Sequence, residues 1–444
     1  MSRPERDWRI FFYIVRPIKN KYQRDIHIVD IFESGFQYLK YFTFRIDYNR
    51  YDYGRHNIRL SSDVFKRIIR KSIFIFMVIC YPILLLLFNN NNDYLISIKI
   101  LEQMVHSNGV DLLLFEMIIM MILVETMWLR LLRSILNYKS SENDFFIEYE
   151  NFDDDKQLTM KMRRYLIQFY TFSEYGSIVV YDISMFGLFI MTMMHTYFCI
   201  EYYFNDRITF IQMITDIPMF AITCNHVSYL LGHLLLSINF QLFLIEFFKS
   251  QLKHLLRISQ FMLMDYRPTK RSYYLAKQLF WSNFQRKYVQ LYSETIGFNR
   301  TFSIVLFYME TISKLSILMS TIFYSKQIHM SVYNSTALIG LMSSFCYTTC
   351  LYARITDLPS CNQQCSRTIS YWLARQTRFM IYRPQWRQSI KSNLFMQTMT
   401  NNQFGFTCGQ LFFMTKFKYI EILMMNLPLI LLFYKKICIS SSIY

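Results

Sequence analysis

Residues 402–436 read NQFGFTCGQLFFMTKFKYIEILMMNLPLILLFYKK. The second half of this stretch is almost entirely apolar, yet it contains Glu421, Asn426 and Pro428. Polar groups inside a membrane helix usually face protein or water rather than lipid. We therefore expect a final transmembrane helix that lines a pore, entered through a short helical lead-in from Gly409 to Lys418. The simpler alternative is a helix that only anchors the chain.

The composition is that of a membrane protein with several spans. Of the 444 residues, 53% are hydrophobic, and the chain has 42 Phe and 34 Tyr but only 10 Gly. So apolar and aromatic a chain is not one ordinary soluble domain. The formal net charge of +17 would suggest a nucleic-acid partner in a soluble protein. Because the basic residues flank apolar stretches here, we expect no nucleic acid to bind.

Seven stretches are apolar enough to cross a bilayer, for which about 20 residues are needed. The first six are Ser72–Phe88, Leu112–Leu132, Ile178 to about Tyr203, about Ile211 to Phe247, Thr301–Tyr324 and Thr336–Ala353, and the last helix is the seventh. The fourth stretch exceeds one bilayer thickness, so it must tilt or extend beyond the membrane. The predicted fold class is therefore an all-α membrane protein with seven transmembrane helices.

Basic residues predict that the N-terminus is cytoplasmic. Residues 1–71 contain 16 Lys and Arg, and segments 130–176, 248–300 and 354–403 contain 7, 10 and 7. The alternate loops contain one each, and the tail after Tyr434 contains two. Because basic residues accumulate on the cytoplasmic side of short loops, seven spans leave the C-terminus outside. The expected location is the plasma membrane.

These segments divide the chain into five parts. We expect a cytoplasmic N-terminal segment (1–71), spans one to six with helical cytoplasmic extensions (72–353), a cytoplasmic anchor segment (354–401), the pore-lining last helix (402–436) and an extracellular tail (437–444). The extension before span five, LAKQLFWSNFQRKYVQLY (275–292), has apolar residues at helical spacing. It is predicted to pack against other subunits, or alternatively to lie on anionic lipid as a surface helix.

The region around span five has a distinctive order of residues: Tyr288, Leu291, Asn299, Phe302 and Leu306, closed by Tyr324. This order resembles the corresponding region of arthropod gustatory receptors. The ending FTCGQLFFMTKFKYIEILMMNLPLILLFY is similar to the last helix of the gustatory and odorant receptor superfamily, and DIFESGFQYLKYFTFRI (30–46) is similar to its helical approach to span one. Where gustatory receptors usually have Thr-Tyr, five hydrophobic residues and Gln-Phe, this chain has Asn426, Leu427, five hydrophobic residues, Phe433 and Tyr434.

The resemblance implies a ligand-gated, nonselective cation channel, of gustatory rather than odorant type. In such proteins the last helices of four subunits line a central pore, and the cytoplasmic halves of the last four spans join the subunits. Each subunit binds a small-molecule tastant or odorant between spans on the outer side. The implied partners are this molecule, cations, membrane lipid and further subunits, in a homotetramer or a heterotetramer with a related receptor. No enzymatic activity, cofactor or metal is expected.

Polar residues in the outer halves of the spans are the candidates for a tastant pocket, since pockets combine apolar walls with a few oriented polar groups. They are Glu116, His195, Thr223, His226, Tyr324 and Ser343. The simpler alternative is that each makes a hydrogen bond between helices. The pore candidates are Glu421, Asn426, Leu429 and Phe433, of which the last three share one helix face.

Two other classes remain open, a G-protein-coupled receptor and a membrane transporter. A G-protein-coupled receptor has the opposite orientation, and the chain has neither Asp-Arg-Tyr after the third span nor Asn-Pro-x-x-Tyr near the seventh. A transporter is expected to show an internal repeat, and the sequence shows none.

Overall fold

The computed structural model describes Ile31 and residues 62–87, 110–136, 159–264, 271–326, 332–377 and 386–441. Within these residues the chain forms nine helices and one short two-stranded hairpin. The all-α class predicted from the sequence is confirmed.

The elements follow one another as a series of helices of very different lengths. They are α1 (Ser62–Leu87), α2 (Val110–Leu136), α3 (Met160–Phe204), α4 (Phe210–Met264), α5 (Arg271–Lys326), α6 (Val332–Ile355), α7 (Asp357–Thr377), α8 (Trp386–Asn401), β1 (Thr407–Cys408), β2 (Phe412–Phe413) and α9 (Lys416–Ser441). The expected spans two to six lie within α2 to α6. The apolar half of the predicted last helix lies within α9, which continues to Ser441, past the predicted boundary at residue 436. The first span lies in α1 except for Phe88, which is outside the described residues, as is the approach to span one apart from Ile31.

Three helices are much longer than a bilayer is thick. Helices α3, α4 and α5 have 45, 55 and 56 residues. At about 1.5 Å per residue they reach roughly 65 to 85 Å, whereas the hydrocarbon layer is about 30 Å thick. The helical extension predicted at 275–292 is confirmed as the first part of α5.

Two helices are long and apolar enough to cross a membrane: α3, and the Leu279–Ser325 part of α5. No other helix in the described ranges passes the same test of length and hydropathy. The count of seven spans and their orientation therefore stay predictions.

The outward surface of α3 is strongly apolar. Its exposed side chains include Phe172, Tyr175, Val179, Ile183, Phe186, Ile190, Met193, Tyr197, Ile200 and Phe204. They recur every three or four residues, so they form one continuous stripe along the helix. Soluble monomers rarely expose a contiguous apolar surface of this length.

Fully buried phenylalanine rings lie around the middle of α4 and of α5. They include Phe240, Phe243, Phe247 and Phe248 of α4 and Phe298 and Phe302 of α5. A tilted contact joins the two sets, between Phe248 and Phe298 at 5.9 Å between ring centroids. The hydrophobic core of the described chain is built mainly where α4, α5 and α7 meet.

The lead-in to the last helix is a β-hairpin, so the helix predicted from Gly409 to Lys418 is wrong before Lys416. Thr407 pairs with Phe413 and Cys408 with Phe412 in antiparallel register. Gly409 adopts a positive φ of 57°, which a helix does not use. Its N–H donates to the Ser303 carbonyl of α5 at 2.9 Å, so the turn is fixed to α5 instead of continuing into α9.

Candidate functional site

His195 lies inside the α3–α4 hairpin, where it is completely buried. Its ring stacks on Phe220 with 3.9 Å between centroids, and its Nε2 is 3.7 Å from Asp216 Oδ2. The Tyr81 hydroxyl of α1 donates to the other oxygen of Asp216 at 2.6 Å. The predicted pocket residue therefore belongs to a polar cluster that joins α1, α3 and α4.

Thr223 and His226 are also buried on α4, but their partners differ in kind. The Thr223 hydroxyl donates to the Met219 carbonyl of its own helix at 2.8 Å, so it needs no other partner. His226 Nε2 lies 3.7 Å from Glu125 Oε1 of α2. His226 thus faces a carboxylate across a helix interface, whereas Thr223 is satisfied locally.

Glu116 is the pocket candidate with two buried oxygens that lack hydrogen-bond partners among the described residues. It is only 3% exposed, and neither carboxylate oxygen has a hydrogen-bond partner in the part of the chain that the structure describes. Burying a carboxylate without a partner is costly, and nearly all buried polar groups are paired. Among the predicted pocket residues, Glu116 has the most to gain from a ligand that donates hydrogen bonds.

The remaining two pocket candidates lie on α5 and α6. Tyr324 is buried two residues before the end of α5. Ser343 lies on α6, and its side chain is outside the described part of the structure. Their assignment to a tastant pocket stays a prediction.

The predicted pore residues of α9 do not share one environment. Glu421 pairs with Lys418 one turn earlier, at 2.9 Å. Asn426 is buried and accepts a hydrogen bond from Lys314 Nζ of α5 at 3.1 Å. Lys314 also lies 3.4 Å from Glu310. The face of α9 that carries Asn426 thus packs against the subunit's own α5.

Leu429 and Phe433 lie on α9 with side chains outside the described part of the structure. By helical spacing they share a face with Asn426. Lining of a pore by these residues stays a prediction, and it requires α9 to rotate away from Lys314.

The opposite side of α9 is an exposed apolar stripe. It consists of Phe417, Ile420, Met424, Leu427 and Leu431, which are between 39% and 78% exposed. Their spacing of three and four residues places them on one face, with the buried Ile422 on the other. This stripe is an apolar surface of α9 that is open to a partner outside the chain.

A buried ionic network that the sequence analysis missed joins the long helices near their buried phenylalanine rings. Glu246 of α4 is 1% exposed. It accepts hydrogen bonds from Lys249 at 3.2 Å, from Arg354 at 3.2 Å and from the Tyr165 hydroxyl at 3.0 Å. One carboxylate is thus held by donors from α3, α4 and α6. The sequence indicated this network through Glu246 and Lys249, which are three residues apart in an apolar stretch.

The same network continues to the start of α9. Lys249 donates to Asp357 Oδ2 at 2.6 Å, and Lys416 Nζ lies 3.8 Å from Asp357 Oδ1. Burial alone would raise the pKa of Asp357, but the hydrogen bond and charge of Lys249 outweigh it and lower the pKa from its ordinary value. Burial would lower the pKa of Lys249, but its bond to Asp357 and the charge of Glu246 raise it. Both groups are therefore charged at neutral pH.

A cleft of about 390 Å³ lies beside this network, between α7, α8, the hairpin and the first residues of α9. Asn362, Ser366, Thr400 and Lys416 contribute polar groups to its wall. It contains none of the six predicted tastant residues.

No known family model matches the chain, and no curated protein matches it.

Proposed function

We propose that the chain is a gustatory-type chemoreceptor of the plasma membrane, in which a small-molecule tastant opens a nonselective cation channel formed by four subunits. The observation that carries this proposal is the exposed apolar stripe of α9, from Phe417 to Leu431. One side of α9 packs on its own subunit, and the other side is apolar and open. A last helix of this kind suits packing with equivalent helices around a shared axis.

The apolar stripe of α3 supports the membrane part of the proposal. It is contributed by one of the two helices that are long and apolar enough to span a bilayer. Contact of such a surface with water is unfavourable in free energy, whereas contact with lipid tails is not. The rest of α3, and the packed parts of α4 and α5, then extend beyond the lipid as the cytoplasmic anchor.

The two faces of α9 suggest how such a channel opens. With Phe417, Met424 and Leu431 turned toward the axis, the constriction is apolar and closes by dewetting. Rotation of α9 would release Asn426 from Lys314 and turn a polar side toward the axis. Pro428, inside the helix, removes one backbone hydrogen bond and makes a bend there easier.

The ionic network offers a physical route from the tastant pocket to this helix. Helix α4 is continuous from Phe210 to Met264. It therefore connects His226, opposite the Glu125 carboxylate, with Glu246 and Lys249 in the network. Asp357 contacts both Lys249 and Lys416, and Lys416 is the first residue of α9. Coupling between distant sites travels through rigid elements and packed networks of this kind.

The test is current recording from cells that express this chain alone, challenged with sugars, bitter compounds and amino acids. We expect an inward current that disappears when external sodium is replaced by a large organic cation. The current should persist in excised patches without nucleotides, because the pore belongs to the receptor. A response that is lost on excision and restored by GTP would favour a G-protein-coupled receptor instead.

A further inference from the structure

Three side chains of the types that bind zinc meet inside the α3–α4 hairpin. His195 and Cys199 are four residues apart on α3, so they lie on the same face of the helix. Asp216 comes 17 residues after Cys199 and approaches the same face from α4. One ligand atom from each residue lies within 4.8 Å of the other two.

The three atoms form a nearly regular triangle. His195 Nε2 is 3.9 Å from Cys199 Sγ and 3.7 Å from Asp216 Oδ2, and Cys199 Sγ is 4.0 Å from Asp216 Oδ2. A point near the centre of this triangle lies about 2.2 Å from each atom, which is the range of zinc bonds to nitrogen, sulfur and oxygen, about 2.0 to 2.3 Å. Because Cys199 Sγ is also 3.6 Å from His195 Nδ1, the sulfur lies beside the ring, and the imidazole must turn for a nitrogen lone pair to point at an ion there.

The neighbours of the triangle hold two of its ligands in place. Phe220 stacks on the His195 ring with only 6° between the ring planes, which limits how far the ring can turn. The Tyr81 hydroxyl bonds Asp216 Oδ1, and so leaves Oδ2 directed at the histidine. Such outer contacts orient metal ligands and strengthen metal binding. The cluster therefore has supporting contacts in addition to its three ligands.

Charge and ligand type select the ion. A neutral imidazole, a thiolate and a carboxylate carry two negative charges, which cancel the charge of a divalent cation in this buried place. The thiolate favours zinc over magnesium or calcium, which prefer oxygen ligands. On binding, the Cys199 thiol releases its proton to solvent and its sulfur forms a bond to the metal. With three protein ligands, the fourth position of a tetrahedral zinc site is left for water.

From this geometry we propose that His195, Cys199 and Asp216 form a binding site for Zn²⁺ that fastens α3 to α4. The site is separate from Glu116 and His226, so His195 serves the metal rather than the tastant. The proposal does not depend on channel activity, because metal content is measured on the purified chain.

The test uses the full chain, purified in detergent and dialysed against Zn²⁺ and then against buffer. We expect the wild-type chain to retain one zinc more than Cys199→Ser, as measured by mass spectrometry of the metal. Cys224→Ser is the matched control, because Cys224 is also a buried thiol but lies outside the cluster. It should retain as much zinc as the wild type.

A second variant covers the case in which Cys199→Ser does not fold. Asp216→Asn keeps an oxygen for Tyr81 and removes one charge, and it should weaken zinc binding at least about tenfold. With Co²⁺ as the probe, a sulfur-to-cobalt absorption band should appear in the wild type and in Cys224→Ser and be much weaker in Asp216→Asn. Equal zinc content and equal cobalt bands in the wild type, Asp216→Asn and Cys224→Ser would overturn the proposal, as would a wild-type chain that retains no zinc.

Discussion

The carboxylate of Glu116 is buried without a hydrogen-bond partner among the described residues, so a ligand that donates to it removes a cost that the free protein carries. A hydrogen bond to an uncharged acceptor contributes about 0.5 to 1.5 kcal/mol, which is roughly a twofold to tenfold change in affinity. We therefore expect Glu116→Gln to raise the half-maximal tastant concentration by about twofold to tenfold in current recordings.

Thr223→Val is the matched control for Glu116→Gln. Both positions were predicted to line the pocket, but the Thr223 hydroxyl already bonds the Met219 carbonyl. We expect Thr223→Val to leave the half-maximal concentration almost unchanged. An equal shift in both variants would mean that the unpaired oxygens of Glu116 do not face the ligand.

The pKa of Asp357 predicts how stability depends on pH. Lys249 lowers this pKa below its ordinary value, so the ionised form is favoured more strongly in the folded chain than in the unfolded chain. The contribution to stability is complete above the unfolded pKa, about 3.9, and is lost as the pH falls through the folded value. In thermal unfolding of the detergent-solubilised chain, Asp357→Asn should reduce the melting temperature at pH 7 and flatten the decline below about pH 4.

Asp206→Asn is the control variant for the dependence of the melting temperature on pH. Asp206 is exposed in the α3–α4 turn, and asparagine accepts its positive φ of 53°. It should leave both the melting temperature and the acid decline as in the wild type. A profile of Asp357→Asn that parallels the wild type at every pH would exclude a stabilising role for the Lys249–Asp357 bond.

At the scale of the element, the hairpin before α9 depends on Gly409. A Cβ at this position would meet Phe307 Cβ at 3.3 Å, and the φ of 57° is unfavourable for other residues. We expect Gly409→Ala to destabilise the chain by about 1 to 2 kcal/mol. Gly176→Ala, in the middle of α3 with no atom within 4 Å of the added carbon, should stabilise it by about 0.5 to 1 kcal/mol. Chemical unfolding in detergent measures both, and two changes of the same sign would contradict this account.

The sequence predicted the helices well and their connections less well. Apolar runs of about 20 residues gave the positions of α2, α3, α6 and α9, because helical structure there follows from local composition. The hairpin could not be predicted in this way, since it depends on Asn299 of α5, whose side chain accepts from the Thr407 N–H at 2.9 Å. That contact joins residues 108 positions apart in the chain.

The candidate site was predicted only in part, for the same physical reason. Glu116, His195 and His226 were recognised as polar residues in apolar runs, and all three are buried. Their partners, such as Asp216 and Glu125, come from other helices, and no spacing within one helix indicates them. The Lys249–Asp357 bond likewise spans 108 positions, so it was visible only in the folded chain.

The stripe of α9 makes a prediction about gating. Leu427 lies on the stripe and is 39% exposed, whereas Met425 is 65% exposed and lies about 120° from the centre of the stripe around the helix. A hydroxyl in an apolar constriction lowers the cost of hydrating it. We expect Leu427→Ser to give a current without tastant and Met425→Ser to behave as the wild type. Silent Leu427→Ser channels at normal surface expression would argue against a constriction formed by this face.

The whole molecule combines an exposed apolar surface with a tightly packed interior. The long apolar stripe of α3 suits contact with lipid, whereas the buried aromatic rings and the ionic network around Glu246 pack among the described residues of the chain. Helices of 45 to 56 residues connect the two regions without a break. Such a subunit is expected to keep its packed region outside the bilayer and to pass movement from one region to the other.

The direction of insertion is the prediction that tests this arrangement as a whole. Residues 1–71 contain 16 basic residues and the tail after Tyr434 contains two, so the N-terminus should remain in the cytoplasm. An epitope fused before Met1 should be stained by antibody only after the cells are permeabilised, whereas one fused after Tyr444 should be stained on intact cells. Both epitopes on one side would exclude an odd number of spans. An N-terminal epitope stained on intact cells would reverse the orientation, place the packed parts of α4 and α5 outside, and exclude the proposed receptor channel.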